Sequence, residues 1–457
     1  MSHPKKEPVL PVVHRNAAGI DIGSTFHVVA VAAGRDPEPI RRFNSFTGDL
    51  HLLAEWLQSL GITTVAMEST GVYWIPVFEI LEERGFEVLL VNARFVKNVP
   101  GRKTDVKDAE WIQRLHEHGL LRGSFRPRDE LIALRAFIRQ RERLTQYRAS
   151  HVQHMQKALM EMNVQLHHVV TDITGVTGMQ IIRAIIAGER DPRVLAEYRD
   201  QRCKESEEAI AAALRGNYRP EHVFALQQSV ELYEAYTAKM AACDTQLEHA
   251  LARLNSVLEK ELDPQPAARA KTKNRSEPRF DVRGALYLLL GVDVTQIHGV
   301  GPYIALQLVG ECGDDMARWP TANHFTSWLT LAPANKISGG RLLSSKTRRS
   351  GSRAAYLFRM AAMAVGRTDT ALGAFYRRLG ARIGKAKAIT ATARKIAILF
   401  YNSLRHGVKY ADPGAAYYDQ LHRENAIKRL QRRASSLGLV LVERGADDGP
   451  LNLGGVS

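Results

Sequence analysis

The placement of four acidic residues in the first part of the chain constrains the fold more than any other feature. Asp21 lies in GIDIGST, where a first strand is predicted to end, and Glu68 ends the apolar run TVAME. Asp105 and Asp108 lie in KTDVKDAEWI, a predicted helix on which a spacing of three puts both residues on one face. If these carboxylates converge, divalent cations must offset their repulsion. The pattern therefore predicts a metal site of the kind that phosphodiester chemistry uses.

Around these residues the hydrophobic pattern alternates between short strands and amphipathic helices. Helices are predicted over Leu50–Leu60, over Tyr73–Arg84 and from about Thr104, which is a suitable N-cap residue. Strands are predicted at Ala18–Ile22, His27–Ala33, Ile40–Phe43, Thr64–Glu68 and Glu87–Val91. Three strands, then helix, strand, helix, strand and helix, is the order of an α/β ribonuclease H-like (RuvC-like) domain.

The charge of the chain indicates a polyanionic partner. Its 457 residues carry a net charge of +15, and 17 Lys and Arg against one acid, Asp369, fall between Lys336 and Tyr410. Nucleic acid is the first expectation and an anionic membrane surface the second. There is no apolar run of membrane-spanning length and no signal-peptide core, so we expect a cytoplasmic protein with no membrane partner. Cys203, Cys243 and Cys312 are scattered, which argues against disulfides and zinc.

The chain divides by pattern into six segments. Two long runs with apolar residues at spacings of three and four, one after Arg128 and one from Leu226 to Leu258, predict a helical coiled-coil arm. Whether these helices pair with each other or with another copy is left open by the sequence. The segments are a flexible tail (1–16), a RuvC-like domain (17–128), the helical region (129–262), a basic linker (263–281), a mainly α domain (282–410) and a basic helix with a tail (411–457), where Leu439–Glu443 could form a strand.

Two glycine-containing turns resemble the hairpin of a helix-hairpin-helix module. ITGVTG begins at Ile173, and IHGVGP begins at Ile297 and contains Gly299 and Gly301. Glycines in such a hairpin let backbone N–H groups approach a DNA phosphate at the start of the following helix. An ordinary helix–helix turn is the alternative for both copies.

A second chemical candidate is Ser338, in the sequence ISGGR. A serine before two glycines lies on backbone that can come close to a phosphate, although Ser344, Ser345 and Ser350 are near in sequence. Nearby cations could stabilise the charge that develops in phosphoryl transfer and hold nucleic acid. These cations are Lys336, Arg341, Lys346, Arg348, Arg349 and Arg353.

Taken together, the two halves resemble the insertion sequence 110 family of transposases, which are bridge-RNA-guided recombinases. The amino-terminal motifs are GIDIGSTFHVVAV, VAMESTGVYWIPV and NARFVKNVPGRKTDVKDAEWI. The later motifs are IHGVGPYIALQLVGECGDDMARWPTANHFTSWLTLAP, ISGGR and SGSRAAYLFRMAAMAV. Their joint occurrence in this order is specific to the family.

The resemblance implies DNA recombination. It assigns the metal ligands to Asp21, Glu68, Asp105 and Asp108 and the nucleophile to Ser338, which would form a covalent phosphoserine link to DNA. It further implies Mg²⁺ as the cofactor, donor and target DNA as substrates, a structured guide RNA, and a homo-oligomer such as a dimer or tetramer.

Other functions remain open at this point. DIGST also resembles the first phosphate loop of actin-like and sugar-kinase-like ATPases, although no second Asp-x-Gly loop occurs in a suitable place. A metal-dependent junction endonuclease without a covalent step would need only the carboxylates. A nucleic-acid-binding scaffold would need neither. Tyr73, Trp74 and Trp328 could stack on bases, but we expect all three to pack in cores.

Overall fold

The computed structural model describes residues 11–92, 105–256, 262–269, 276–349 and 351–442, with the side chains of residues 105 and 106 excepted. It divides the chain into two compact units, Met1–Arg126 and Pro127–Ser457. Among the helices of these residues, none is long and apolar enough to cross a membrane.

The first unit is built on a mixed five-stranded sheet. Its strands are β1 (Ala17–Ile22), β2 (Phe26–Val31), β3 (Ile40–Asn44), β4 (Thr64–Glu68) and β5 (Glu87–Val91), in the spatial order β3-β2-β1-β4-β5. β1 pairs antiparallel with β2 and parallel with β4. Its helices are α1 (Thr47–Ser59), α2 (Trp74–Glu83) and α3 (Asp105–Glu117). This architecture fits a ribonuclease H-like domain and confirms the predicted order of elements.

The main core of this unit fills the space between one face of the sheet and helices α1 and α2. Ile20 and Met67 point into it from the two central strands, and Leu53 and Val77 meet them from the helices. Side chains alternate between the two faces of a strand. Asp21 and Glu68, which each follow one of these strand residues directly, therefore point to the opposite face.

Helix α3 covers that opposite face at very short range. A Cβ atom on Gly19 would lie 2.3 Å from the Gln113 backbone nitrogen and 2.6 Å from the Ala109 carbonyl oxygen. Real Cβ atoms do not approach backbone this closely, so the packing requires glycine at this position. The absence of a side chain lets the helix backbone rest directly on β1.

The second unit is mainly helical, as predicted. Its helices are α4 (Asp129–Glu161), α5 (Leu166–Val169), α6 (Val176–Ile186), α7 (Pro192–Ala196), α8 (Glu207–Ala213), α9 (Pro220–Ser256), α10 (Val282–Leu290), α11 (Pro302–Cys312), α12 (Ala322–Trp328), α13 (Arg353–Val365), α14 (Ala371–Ile383), α15 (Lys385–His406) and α16 (Ala415–Ser435). A short 3₁₀ turn (Val294–Gln296) precedes α11, and one hairpin is formed by β6 (Lys336–Ser338) and β7 (Arg341–Ser344).

The two long helices, α4 and α9, pack against each other within the chain. A buried ion pair lies at their contact: Arg141 Nε donates to Asp244 Oδ1 at 2.5 Å, and both side chains are almost fully buried. Arg141 also donates to the Ser276 carbonyl oxygen and lies 4.8 Å from the Tyr303 ring centre. A buried pair of this kind fixes the register of two helices, because a slip would leave each charge without its partner.

Much of the predicted basic linker is held by specific contacts. Tyr287 Oη donates to the Asp263 carbonyl oxygen, and the Arg269 guanidinium donates to the carbonyl oxygens of Thr295 and Ile297. The basic residues Lys271, Lys273 and Arg275 lie outside the described residues. The same is true of Thr104, of part of the NARFVKNVPGRKTD motif and of the last fifteen residues, 443–457. A strand was expected at Leu439–Glu443, but residues 439–442 do not form one.

Candidate active site

Asp21 and Glu68 lie side by side at the carboxyl ends of β1 and β4. We call this end of the sheet the acidic edge. The parallel register pairs Ile20 with Met67, so the next residues along the two strands, Asp21 and Glu68, are neighbours. Asp21 is half-buried and Glu68 is 7% exposed. Thr70 Oγ1 donates a hydrogen bond to Glu68 Oε1 at 3.2 Å, which orients that carboxylate. Two oxygen donors thus share one face at the carboxyl ends of β1 and β4.

The packing of α3 brings its first turn toward the same edge. His116, near the carboxyl end of α3, forms a hydrogen bond with Thr64 at the start of β4. Ile112 packs on Ala66, which lies two residues farther along the same strand. Ala109 packs on Val28, the partner of Asp21 across the sheet. The helix therefore runs antiparallel to β1 and β4, and its amino-terminal residues extend toward the strand ends.

This direction determines where the other two predicted ligands stand. Asp108 precedes Ala109 and is half-buried, and the backbone of Asp105 lies one helical turn before Ala109. Carboxylates in the first turn of a helix are favoured by its dipole. The side chain of Asp105 lies outside the described residues, so the assembly of all four carboxylates stays a prediction.

The donor set suits a hard divalent cation. Every predicted ligand offers carboxylate oxygen, the donor that Mg²⁺, Mn²⁺ and Ca²⁺ prefer, and no thiol or imidazole is required. Among the side chains that the structure describes, no group of three or more His, Cys, Asp or Glu is close enough to hold a metal ion. The pair Asp21 and Glu68 is therefore the part of the site that the described residues form.

The far end of α3 is anchored by a buried histidine. His116 is 2% exposed, its Nε2 lies 2.8 Å from Thr64 Oγ1, and its ring stacks on His14 at 4.8 Å. Burial lowers the pKa of His116 to about 4, and the nearby His14 adds to this effect. The histidine is thus neutral at ordinary pH and belongs to the support of the helix that carries Asp105 and Asp108.

In the second unit, Ser338 ends one strand of an exposed hairpin. It pairs with Arg341, and the two residues between them, Gly339 and Gly340, have φ angles of +55° and +75°. Left-handed φ at both central residues is the requirement of the type I′ turn, which glycine meets without strain. Nothing lies within 4 Å of a Cβ built on either glycine, so the backbone angle, and not space, makes glycine necessary.

The hairpin has two different faces. Cross-strand partners share a face, so Ser338 lies beside Arg341, and Lys336 lies two residues away on the same face. The opposite face carries Ile337 and Leu342, which are 65% and 57% exposed. Ser338 is thus an exposed hydroxyl on a cationic face.

The remaining predicted DNA contacts fall into two groups. Lys346, Arg348 and Arg349 are exposed after the hairpin. Arg353 instead forms ion pairs with Glu142 and with Glu311, the latter at 3.3 Å. A phosphate would have to replace these carboxylates to reach Arg353.

The second glycine turn precedes α11 as expected, but its glycines face protein. Gly299 has φ of +87°, and a Cβ on it would lie 2.3 Å from the Ala361 carbonyl oxygen. The nearest atom to a Cβ on Gly301 is Glu277 Oε1, at 3.8 Å. Packing against α13 therefore explains Gly299, and phosphate binding by this turn stays a prediction.

The expectation of core packing holds for two of the three aromatic residues. Trp74 packs edge-on against Phe78, and Trp328 lies 4.9 Å from Trp319 between ring centres. For Tyr73 the expectation is wrong, because its side chain is 46% exposed. Tyr73 follows Gly71, whose φ of +55° marks a turn just before α2, but the sequence does not indicate on which side of that turn the core lies.

Two family profiles match the chain in the regions just described. A transposase profile, DEDD_Tnp_IS110, matches residues 18–164, and that of the transposase IS116/IS110/IS902 family matches residues 293–377. Together they cover about half of the sequence. The chain belongs to the IS110 family of transposases. A search of curated proteins finds no match.

Membership in the IS110 family makes the chain an enzyme that catalyses DNA cleavage and strand transfer, with DNA as its substrate. The DEDD domain indicates that this IS110 transposase depends on a divalent metal cation. Neither match supports the alternative of an actin-like or sugar-kinase-like ATPase.

Proposed function

We propose that the chain exchanges DNA strands through a covalent phosphoserine intermediate formed by Ser338. The observation that carries this proposal is the hairpin, which presents an exposed serine hydroxyl between Lys336 and Arg341 on a glycine turn. Cations on that face would stabilise the negative charge that develops on the phosphate during attack.

The proposed strand exchange has two chemical steps. Ser338 Oγ attacks the phosphorus and loses its proton, an Oγ–P bond forms, and the bond from phosphorus to the DNA 3′ oxygen breaks. The released 3′ oxygen takes up a proton and becomes a hydroxyl. In the second step a 3′ hydroxyl from another strand attacks the phosphoserine, its proton leaves, and the Ser338 hydroxyl is restored. Because the phosphoester bond is conserved, exchange needs no ATP.

Asp21, Glu68, Asp105 and Asp108 would hold the divalent cation, for which we propose Mg²⁺. A bound Mg²⁺ ion supplies Lewis-acid polarisation of the scissile phosphate and stabilises charge on the leaving oxygen. The support for this assignment is the placement of Asp21 and Glu68 on one face at neighbouring strand ends. The hydrogen bond from Thr70, at 3.2 Å, orients the Glu68 carboxylate.

Three further features of the family extend the proposal. A structured guide RNA would select donor and target DNA, and the net charge of +15 supports binding of both nucleic acids. A homo-oligomer, as a dimer or tetramer, would assemble the DNA ends, with Lys346, Arg348, Arg349 and Arg353 as phosphate contacts. The protein would act at the nucleoid of a prokaryotic cytoplasm.

Trapping of the intermediate tests the proposal. Full-length protein is incubated with Mg²⁺, with DNA that carries the ends of its own element, and with RNA transcribed beside its gene. We expect a protein–DNA adduct that survives denaturant, and loss of adduct and of exchange by at least about 1,000-fold in Ser338→Ala.

Ser344→Ala is the matched control, because Ser344 lies on the same hairpin opposite Lys336. It should retain the adduct. If Ser338→Ala still cuts DNA at the wild-type rate, the phosphoserine step is wrong and the metal-dependent endonuclease becomes the better account.

A further inference from the structure

Three exposed apolar side chains follow Glu68 within seven residues. Val72 is 66% exposed, Tyr73 is 46% exposed and Ile75 is 37% exposed. Single exposed apolar residues are ordinary on a protein surface, but a group of this kind beside a catalytic edge is informative. We call Val72, Tyr73 and Ile75 the apolar ledge.

The loop that orients Glu68 also carries the apolar ledge. The Ser69 backbone N–H bonds the Val91 carbonyl oxygen at 2.9 Å, and the Thr70 N–H bonds the Glu68 carbonyl oxygen at 3.0 Å. Gly71 then takes a left-handed φ, and a Cβ on it would lie 3.3 Å from Tyr73 Cε2. The tyrosine ring therefore lies across the glycine in a loop that is tied to the strand ends.

Tyr73 stands on a rigid base, yet local structure does not explain its identity. The next residue, Trp74, packs against Phe78, which anchors the first turn of α2 in the core. Tyr73 occupies the N-cap position, which favours small polar residues, and its side chain makes no capping hydrogen bond. Neither helix capping nor burial accounts for a large aromatic residue here.

Charge alone does not favour DNA at this unit. The unit Met1–Arg126 contains fifteen Lys and Arg and fifteen Asp and Glu, so its net charge does not attract a phosphate backbone. Stacking of a base on an aromatic ring is tolerant of sequence and needs no positive charge. The face of a base becomes available for such a contact only when the base is unpaired.

We infer that the apolar ledge, with Tyr73 at its centre, stacks against an unpaired DNA base next to the phosphate at the Asp21–Glu68 edge. This inference rests on the proposed function of that edge, and it assigns Tyr73 as a positioning residue. The base contact holds the strand where the net charge of the unit does not attract it, and it favours DNA that is opened at the point of cleavage.

Fluorescence of a base analogue tests the inference without requiring cleavage. Full-length protein is titrated, in Ca²⁺, with a thymidine oligonucleotide that carries one 2-aminopurine and with the corresponding duplex. We expect wild-type protein to quench the single strand, and Tyr73→Ala to lose this quenching and bind the single strand about 10-fold more weakly. Affinity for the duplex should stay unchanged.

Two variants separate stacking from a change in fold. Tyr73→Phe keeps the ring and should retain quenching and affinity, whereas Tyr73→Leu keeps apolar bulk and should lose the quenching. Leu52→Ala is the matched control, because Leu52 is 57% exposed on α1, which packs on the opposite face of the sheet from Asp21. It should behave as wild type.

Photo-crosslinking identifies the contact independently. An oligonucleotide with 5-iodouracil should crosslink to the peptide that contains Tyr73, and less to the same peptide of Tyr73→Leu. Three results would overturn the inference. Quenching could be unchanged in Tyr73→Ala, it could occur only with RNA of the same sequence, or a variant of the apolar ledge could alter only the oligomeric state. Failure of the proposed function of that edge would show separately, as metal-dependent cleavage that is indifferent to Asp21→Asn and Glu68→Gln.

Discussion

The acidic edge of the first unit and the serine hairpin of the second differ in how they hold a reactive group. Asp21 and Glu68 lie at the carboxyl ends of two central strands, with a core on one side of the sheet and α3 packed on the other. Ser338 stands on a two-stranded hairpin whose strand residues are mostly exposed. A two-stranded hairpin is marginally stable by itself in water, so this geometry depends on the turn more than on packing.

The difference indicates how each part tolerates change. Ligands for a cation must keep fixed distances, and a sheet backed on both faces provides them. A nucleophile must approach a phosphate and later be released from it. An exposed hairpin, whose geometry depends on its own turn, allows this movement. The two parts should therefore fail for different reasons, which the following predictions test from the largest expected effect to the smallest.

Removal of charge at the acidic edge should have the largest effect. Asp21→Asn and Glu68→Gln keep the shape of the side chain and remove a cation ligand. We expect metal-dependent strand cleavage to fall by about 100-fold to 1,000-fold. Cleavage is measured with Mg²⁺ and with Mn²⁺, and metal binding by calorimetry.

Glu87→Gln provides the control for that experiment. Glu87 is an exposed carboxylate at the opposite end of the sheet, where it pairs with Thr64. Its loss should leave metal affinity unchanged. Equal loss in all three variants would mean that net charge, and not a built edge, governs activity.

Acid should weaken the support of the edge before it affects the hairpin. The pKa of buried His116 is lowered from 6.5 to about 4, so protonation favours the unfolded state. The stabilisation is complete above pH 6.5 and is lost as the pH falls toward about 4, which amounts to about 2 to 3 kcal/mol. Hydrogen exchange of β1 and β4 amides between these pH values measures it.

His116→Gln should flatten that pH dependence, because glutamine does not titrate. His118→Gln is the control, since His118 is a half-buried neighbour whose Nδ1 donates to the Pro11 carbonyl oxygen. The prediction is contradicted if β1 and β4 lose protection with the same pH profile in His116→Gln as in the wild type.

A substitution in the turn of the hairpin should have a smaller effect on activity. Gly340→Ala forces an L side chain into left-handed φ, which costs about 1 to 2 kcal/mol. We expect about a 10-fold loss of Ser338 adduct formation, with no change in thermal stability of the first unit. Gly351→Ala is the control, because that glycine has open space around it and no left-handed φ.

Some features of the chain could be predicted from local pattern. The five strands follow from short apolar runs, and their order with the helices along the chain predicted a ribonuclease H-like domain. The spacing of Asp105 and Asp108 and the pair of glycines after Ser338 are likewise local signals, because helical periodicity and left-handed φ are properties of a few consecutive residues.

Other features could not be predicted because they depend on long-range packing. Arg141 and Asp244 look like interruptions of two apolar runs, and only the pairing of α4 with α9 makes them partners. Gly299 looks like a phosphate turn until Ala361 is found against it. The exposure of Tyr73 depends on which side of the Gly71 turn the core lies.

By itself, the sequence determined the ribonuclease H-like order, the basic character of the second half, the candidate carboxylates and the Ser–Gly–Gly turn. The tertiary structure decided that Asp21 and Glu68 share one face, that α3 runs antiparallel above them, and that Arg353 faces Glu142 and Glu311. The physical reason is that dihedral preference and periodicity act over a few residues, whereas strand register, close helix approach and ion pairing join residues far apart in the chain.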